Sequence, residues 1–312
     1  MTRTTRILDD PEEAAAVIRS GGLVAFPTET VYGLGADALN PDAIAAVFAA
    51  KGRPDDNPLI VHVAEVSGVS QVCDAIPPAA SALLAAFSPG PLTLVVPRSE
   101  RVPPSVSAGL GTVGVRIPGH PVAQALLRAA RCPVAAPSAN RSGRPSATTW
   151  EAVLADLDGR VDAVLRGSRP KVGIESTVVD CTGPVPAILR AGSVTLEQLR
   201  TVIPETIARG EREAASPGTR HLHYAPDARV RVVEAPSPRS TAAYIGWSRP
   251  GDGYMLESLV DGLDEYAHAL YDFFRRCDQA GVQEIDCEWP TDVGIGRALQ
   301  DRLRRAEAAS AA

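Results

Sequence analysis

The chain has 312 residues, of which 45% are hydrophobic and 22% are charged. This length is too great for one ordinary domain and fits two, and the apolar fraction is sufficient for a normal globular core. The formal net charge of −6 argues against a protein that coats polyanions, because such proteins carry a basic excess. A local cationic pocket is still compatible with it. Two of the 31 basic residues are lysines, Lys51 and Lys171.

The five cysteines form no CxxC pair and their number is odd, which predicts reduced thiols in a cytoplasmic protein. The N-terminal residues have charges but no apolar stretch behind them, so no signal peptide is predicted. No segment approaches 18 uncharged apolar residues, so we expect no association with a membrane.

Short apolar runs alternate with helical patterns through the first two hundred residues. The predicted strands are residues 23–26, 59–63, 92–96, 113–117, 161–165 and 177–179. Two predicted helices begin at Pro11 and Pro41, each after an Asp or Asn N-cap, and others lie near residues 78–87, 121–130, 149–157 and 195–203. The many X-Pro steps favour mixed strand directions, so the predicted fold class is α/β with a mixed sheet and flanking helices.

The composition changes after Val202. Residues 204–227 contain few aliphatic side chains, several charges and the turn-rich segment 216–219, which together indicate a linker. Strand patterns at 229–234, 242–247 and 282–288 then surround helical patterns at 264–280 and 293–308. The predicted domains are 1–204, a linker at 205–228, and a small C-terminal α/β domain at 229–312.

Several short motifs are disfavoured by their context. Residues 109–114 match GxGxxG, but a dinucleotide site needs a helix after the glycines, and here a predicted strand follows. Gly52 and Val172 follow the two lysines, which excludes a P-loop. His221 and His223 are more typical of structural or solvent-facing histidines than of zinc ligands. The arginines of 297–305 are interleaved with acids, which favours a solvated helix face.

Five polar segments lie at the ends of predicted strands, where sites of α/β proteins assemble. They are residues 27–35, residues 51–58, Thr112 with Arg116, residues 137–140 with Ser146, and residues 173–177 with Arg190. The Lys51-x-Arg53 pair has two interpretations. The two cations complement a helix C-terminus, or they hold a triphosphate, for which a point charge and a forked donor are both suited.

These segments resemble those of the threonylcarbamoyl-AMP synthases of the YrdC type, in their long two-domain form. The matching segments are collinear across residues 15–195 and comprise residues 26–35, 51–54 with 57–62, 115–118, 137–143 and 173–180. The linker resembles that of the long form, and the second domain is matched weakly. The resemblance implies a YrdC-like twisted mixed sheet with a concave pocket, followed by a small Rossmann-like α/β domain.

The resemblance also implies a reaction. L-threonine, bicarbonate and ATP give L-threonylcarbamoyl-AMP and pyrophosphate, with Mg²⁺ accompanying the ATP and no organic cofactor. A separate transferase complex then passes the threonylcarbamoyl group to a tRNA adenosine beside the anticodon, and direct tRNA binding by this chain is not expected. Such chemistry needs positioning and charge stabilisation more than covalent catalysis.

The resemblance assigns residues to each substrate. The implied threonine-contacting residues are Thr30, His62, Arg116, Ala136 and Ser176. The implied ATP-contacting residues are Lys51, Arg53, Asn57, Thr112, Ser138, Asn140, Ser146, Arg190 and Tyr224, with Lys51 and Arg53 as the catalytic pair. Tyr224 resembles a linker residue that closes over the nucleotide, which would make the linker a lid.

Two other functions fit parts of the sequence. One is a carbamoyl-transfer enzyme that uses carbamoyl phosphate, which would not depend on threonine. The other is an RNA-binding translation factor, against which the acidic net charge counts.

Overall fold

The computed structural model describes residues 4–208 and 224–311. Its helices are α1 (Pro11–Arg19), α2 (Pro41–Lys51), α3 (Pro78–Phe87), α4 (Pro121–Ala130), α5 (Trp150–Leu157), α6 (Leu196–Val202), α7 (Leu263–Ala280) and α8 (Gly296–Ser310), with short 3₁₀ turns at Val66–Gln71 and Pro104–Ser107. Its strands are β1 (Arg6–Leu8), β2 (Val24–Phe26), β3 (Gly33–Asp37), β4 (Ile60–His62), β5 (Leu92–Pro97), β6 (Thr112–Arg116), β7 (Val134–Ala135), β8 (Ala163–Leu165), β9 (Thr177–Asp180), β10 (Ala187–Arg190), β11 (Ile207–Ala208), β12 (Arg229–Val233), β13 (Ala242–Gly246), β14 (Leu256–Leu259) and β15 (Glu284–Glu288).

The helix boundaries follow local capping chemistry. Asp10 accepts a hydrogen bond from the Glu12 amide at the start of α1, and Asn40 caps α2 in the same way. Helix α2 ends where Gly52 adopts a left-handed conformation at φ 62°, which a residue without a Cβ adopts at little cost. The turn at Gly52 directs the following residues toward the edge of the sheet.

The first domain is built on a mixed sheet. Its strand order is β1-β8-β2-β3-β7-β4-β6-β5-β9-β10-β11, with parallel pairs such as β4/β6 and β5/β9 and antiparallel pairs such as β2/β3 and β5/β6. In the β4/β6 pair, His62 lies opposite Arg116, and each residue ends its strand. The carboxyl ends of these parallel strands therefore bring two polar side chains to one edge.

The second sheet is parallel, with the order β12-β15-β13-β14. Its core packs against α7 and α8, and the same apolar cluster includes Val31, Ile174 and Tyr224. The two parts of the chain thus share a continuous apolar interface. The predicted mixed α/β architecture with a Rossmann-like second domain is confirmed.

Several short strands were not predicted from the sequence. Strand β3 begins inside the predicted turn at 27–35, because Gly35 lies against β2: a Cβ there would be 2.8 Å from the Phe26 ring. Strands β1, β7, β10, β11 and β14 are each five residues or shorter. Runs of this length have too little periodicity for the two-residue repeat of a strand to be recognised.

The predicted division into domains at 204 and 229 stays a prediction. Of the linker at 205–228, the structure describes residues 205–208 and 224–228, so the turn at 216–219, His221 and His223 lie outside the described residues. Among the described helices, none is both long and apolar enough to cross a membrane.

Candidate active site

A cavity opens at the carboxyl ends of β4 and β6, between the β2–β3 loop, the residues before β9 and Tyr224. Ten of the fourteen residues assigned to the two substrates line it: Thr30, Arg53, His62, Arg116, Ala136, Ser138, Asn140, Ser176, Arg190 and Tyr224. The other four, Lys51, Asn57, Thr112 and Ser146, lie outside its lining. The strand-end segments therefore converge as α/β topology requires.

The β2–β3 loop is shaped by the hydroxyl of Thr28. Its Oγ1 lies 2.8 Å from Thr30 Oγ1, donates to the Val31 carbonyl at 2.7 Å, and accepts from the Thr30 and Val31 amides. Hydrogen bonds from a side chain to the backbone of its own loop take the place of the backbone hydrogen bonds of a helix or strand. Thr30, the predicted threonine contact, is held at the cavity wall by these bonds.

Arg116 is oriented by Glu29. One guanidinium nitrogen of Arg116 donates to Glu29 Oε1 at 2.8 Å, and Glu29 Oε2 accepts from the Gly119 amide at 2.9 Å. Burial alone would raise the pKa of Glu29, but the charge and hydrogen bond of Arg116 outweigh it and the pKa is lowered. The pair is ionised, and Arg116 presents a fixed cation to the cavity.

His62 is neutral in this environment. Burial, reinforced by the nearby positive charge of Arg116, lowers the pKa of His62 to about 3. Its ring packs edge-on against Phe26, and its Nδ1 is buried with no hydrogen-bond partner among the described residues. An imidazole with such a low pKa is suited to orienting a polar group by hydrogen bonding, and it adds no charge beside Arg116.

Ser176 connects the strands on the other side of the cavity. Its hydroxyl lies 2.8 Å from Thr93 Oγ1 on β5. The Ser176 carbonyl accepts from Arg190 Nε at 3.1 Å and Nη2 at 3.0 Å, and the same Nη2 donates to the Ser176 hydroxyl at 3.1 Å. Arg190 is buried at the end of β10, so its guanidinium has a fixed position behind Ser176.

Lys51 supports the cavity from behind. It is 2% exposed, and its Nζ donates to the Ser138 carbonyl at 2.5 Å and to the Asn140 carbonyl. The Asn140 side chain in turn donates to the carbonyls of Arg141 and Arg144 at 2.8 and 2.9 Å. Burial and the neighbouring charge of Arg53 lower the pKa of Lys51 well below its usual value. The structure therefore places Lys51 under the Ser-x-Asn loop and not on the cavity surface.

Arg53 lines the cavity after the turn at Gly52. Its Nε donates to the Asn57 carbonyl at 3.0 Å and one Nη donates to the Pro58 carbonyl at 2.8 Å, which ties the proline-bounded loop to its own guanidinium. Burial is the main cause that lowers the pKa of Arg53 to about 10, so the side chain is charged at neutral pH. Asn57 is buried beneath this loop.

Thr112 and Ser146 lie further back. Thr112 begins β6 and Arg116 ends it, so the two residues are about 13 Å apart at about 3.3 Å per residue. Ser146 is fully buried and donates to Glu175 Oε1 at 2.5 Å. Sequence reasoning did not assign Glu175 a role, although it lies in the polar segment 173–177 directly before the apolar residues of β9. A carboxylate buried at such a place needs a partner.

Tyr224 closes one side of the cavity. It is 6% exposed, has a φ of 73°, and stacks on Tyr271 with the ring centroids 5.6 Å apart. The Arg302 guanidinium lies 5.4 Å from the Tyr224 ring centroid. The interpretation of residues 297–305 as a solvated face is wrong for Arg302, which is fully buried because α8 packs against the first domain.

The cavity is cationic. Arg116 lies near His62, and Arg53 lies near Arg190 and Tyr224. Glu175 is the one carboxylate among the described residues that line the cavity, and it is paired with Arg302. The arrangement can bind an amino-acid carboxylate and a phosphate chain together.

Comparisons with known proteins agree with this geometry. A family model described as Telomere recombination, of the Sua5, YciO and YrdC proteins, matches residues 16–192, and one described as Threonylcarbamoyl-AMP synthase, C-terminal domain, matches residues 194–309. The threonylcarbamoyl-AMP synthases of Pyrococcus abyssi and Bacillus subtilis are each 41% identical to the chain, over 94% and 96% of it and over 92% and 93% of their own lengths.

A solved structure has the same fold. The crystal structure of P. abyssi Sua5 complexed with L-threonine superposes with a TM-score of 0.91 at 38% identity, over 99% of this chain and 98% of that one. Similarity of this extent covers both sheets. The chain therefore belongs to the Sua5/YrdC family of threonylcarbamoyl-AMP synthases, in the form that has the additional C-terminal domain.

Proposed function

We propose that the chain joins L-threonine, bicarbonate-derived carbon dioxide and ATP into L-threonylcarbamoyl-AMP, with release of pyrophosphate. The observation that carries the proposal is the cationic cavity, which is lined by Arg116 with neutral His62 and also by Arg53 and Arg190. A fixed guanidinium suits the threonine carboxylate, and two buried or half-buried arginines suit a triphosphate.

The reaction needs two bond-forming steps. The threonine amine attacks carbon dioxide and loses a proton, which gives a carbamate. A carbamate oxygen then attacks the α-phosphorus of ATP, and the bond to the pyrophosphate leaving group breaks. Arg116 would hold the threonine carboxylate while Arg53 and Arg190 balance the charge on the phosphates. Holding the reactants in line contributes several kcal/mol, on the order of 7–11 in the best cases.

His62 would orient the threonine without competing for protons. A histidine whose pKa is about 3 is neutral at physiological pH, so it does not repel the substrate amine. His62 lines the cavity, where its neutral ring would exchange a hydrogen bond with a polar group of the substrate. Ser176, fixed by Thr93 and Arg190, offers a hydroxyl on the opposite wall.

Magnesium enters this proposal as part of the MgATP substrate. The described residues contain no group of three His, Cys, Asp or Glu side chains that could hold a metal ion. Glu175, which lines the cavity, and Glu29, which holds Arg116, are each bound to an arginine. The triphosphate oxygens and water would therefore supply the coordination shell that Mg²⁺ prefers.

The cellular setting is part of the proposal. The product is a mixed anhydride that would be passed to a separate transferase complex for modification of a tRNA adenosine. The five cysteines are all free, which supports a reducing compartment such as the cytoplasm.

The test is pyrophosphate release with each substrate omitted in turn. The proposal predicts release that requires ATP, L-threonine and bicarbonate together. A parallel reaction with carbamoyl phosphate and no threonine examines the carbamoyl-transfer alternative. Release that needs carbamoyl phosphate and ignores threonine would replace the proposal with that alternative.

A further inference from the structure

Glu175 connects the cavity wall to the C-terminal domain. Its carboxylate is buried, and Oε1 holds the Ser146 hydroxyl. Oε2 accepts from the Tyr271 hydroxyl at 3.0 Å and from Arg302 Nε at 2.8 Å. Tyr271 lies on α7 and Arg302 on α8. One carboxylate therefore joins a predicted ATP contact to two helices of the other domain.

Arg302 also contacts two further parts of the wall. One of its Nη atoms donates at 3.1 Å to the carbonyl of Ala191, the residue that follows Arg190 in the sequence. Its guanidinium lies over the Tyr224 ring, and Tyr224 stacks on Tyr271. A single side chain of α8 thus lies behind three residues that line the cavity, namely Glu175, Arg190 and Tyr224.

The charges of Glu175 and Arg302 depend on each other. Burial opposes both charges. For Glu175 the charges of Arg302 and then Arg190 outweigh burial, so the pKa of Glu175 is lowered; for Arg302 the interactions with Tyr224, Glu175 and Asp301 outweigh it, so the pKa of Arg302 is raised. The pair is therefore ionised and electrically balanced. Without Arg302, the Glu175 carboxylate would remain in the cavity wall without its paired cation. Its negative charge would then repel an incoming triphosphate.

We propose that Arg302 is a positioning residue for the reaction: acting through Glu175, it fixes Ser146 and neutralises the nucleotide side of the cavity. Tyr271 assists on the same carboxylate oxygen. The C-terminal domain thereby completes the ATP-binding half of a site whose threonine-binding half lies wholly on the first domain. This inference rests on the proposed function, since it concerns the same cavity.

The experiment compares steady-state kinetics of the full-length chain and its Arg302→Met variant. We expect the KM for ATP to rise by about tenfold or more, because a charged hydrogen-bonded contact is lost and a carboxylate is exposed. The KM for L-threonine should change by less than about threefold, because Arg116 and His62 are untouched. A purely structural role would move both KM values together with the melting temperature.

Arg297→Met is the matched control. Arg297 also lies on α8 and also crosses to the first domain, where it pairs with Glu197 at 2.8 Å, but neither residue lines the cavity. We expect wild-type KM values for this control. Adding Glu175→Gln to Arg302→Met removes the unbalanced charge and should recover at least about threefold in the KM for ATP.

An Arg302→Met variant that is folded and whose KM for ATP stays within about twofold of wild type would overturn the inference. If that variant does not fold, Tyr271→Phe decides: a rise of about threefold in the KM for ATP supports the inference, and an unchanged value refutes it. MgATP titrations by calorimetry, without threonine, report on the inference even if no threonine-dependent product forms, so the two failures are distinguishable.

Discussion

Replacing Arg116 tests how the cavity recognises an amino acid. Arg116→Met removes the cation assigned to the threonine carboxylate and leaves Glu29 with the Gly119 amide alone. A hydrogen bond to a charged group contributes about 1.5–3 kcal/mol, which corresponds to about 12-fold to 160-fold in affinity. The unpaired Glu29 adds repulsion of the substrate carboxylate. The KM for L-threonine should therefore rise by at least about tenfold.

The same substitution also affects stability. Arg116 and Glu29 have side chains only 5% and 13% exposed, and removal of one partner of a buried pair costs about 3–5 kcal/mol. Arg116→Lys keeps the positive charge beside Glu29 and loses the forked geometry. It should therefore be less destabilised than Arg116→Met, and it serves as a second test variant. Arg101→Met is the control, because Arg101 forms an exposed pair with Asp74 outside the cavity.

The assay is pyrophosphate release under varied L-threonine at saturating ATP, after circular dichroism has established the folded fraction. We expect the KM for ATP to be nearly unchanged in both Arg116 variants. If both variants are folded and their KM for L-threonine stays within about twofold of wild type, the assignment of Arg116 to the carboxylate is refuted.

Three further predictions concern stability. Lys51→Met leaves the buried Asn140 carbonyl and the part-buried Ser138 carbonyl without their donor. It should lower the free energy of unfolding by about 2–6 kcal/mol together with the activity, and an unchanged melting temperature would contradict this. Gly173→Ala places a Cβ 2.4 Å from the α7 backbone at a φ of 86°, and should destabilise the chain by about 2–5 kcal/mol. Gly109→Ala is the control: φ is 77° there but the space is open, so the expected loss is about 1–2 kcal/mol. In pH-dependent unfolding, the pKa of Glu29 lies below its unfolded value of 4.5, so its stabilisation is complete above that pH and is lost as the pH falls through the lowered pKa. Glu29→Gln should remove this loss of unfolding free energy at acidic pH. An unchanged dependence of stability on acidic pH would exclude Glu29 as its source.

Local sequence signals predicted much of the framework. The helices at 78–87 and 121–130 have the predicted bounds, because a proline at the first turn and an apolar stripe are both local features. The mixed direction of the strands followed from proline content. Strands such as β7 could not be predicted, since a two-residue strand is defined by its partners β3 and β4 and not by its own residues.

The candidate site was predictable where its residues lie in contiguous motifs. The family resemblance assigned Thr30, His62, Arg116 and Ser176 through such motifs, and all four line the cavity. The position of Lys51 behind the cavity wall could not be predicted, because its two carbonyl partners are 87 and 89 residues away in the sequence.

The contact between Arg302 and Glu175 could not be predicted from the sequence either. They are 127 residues apart, and their pairing depends on how α8 packs against the first domain. Charge spacing along a helix reports which residues share a face, but it does not report which face is covered by another domain. A solvated interpretation was therefore favoured for a residue that is fully buried.

Incorporation of ¹⁴C-labelled bicarbonate tests directly whether the chain makes L-threonylcarbamoyl-AMP. The chain is incubated with the label, MgATP and L-threonine, and the nucleotide products are separated and identified by mass. We expect a labelled AMP adduct with the mass of L-threonylcarbamoyl-AMP, formed in equal amount with pyrophosphate and absent when L-threonine is omitted. Pyrophosphate release without label in an AMP adduct, or label that enters without threonine, would contradict it.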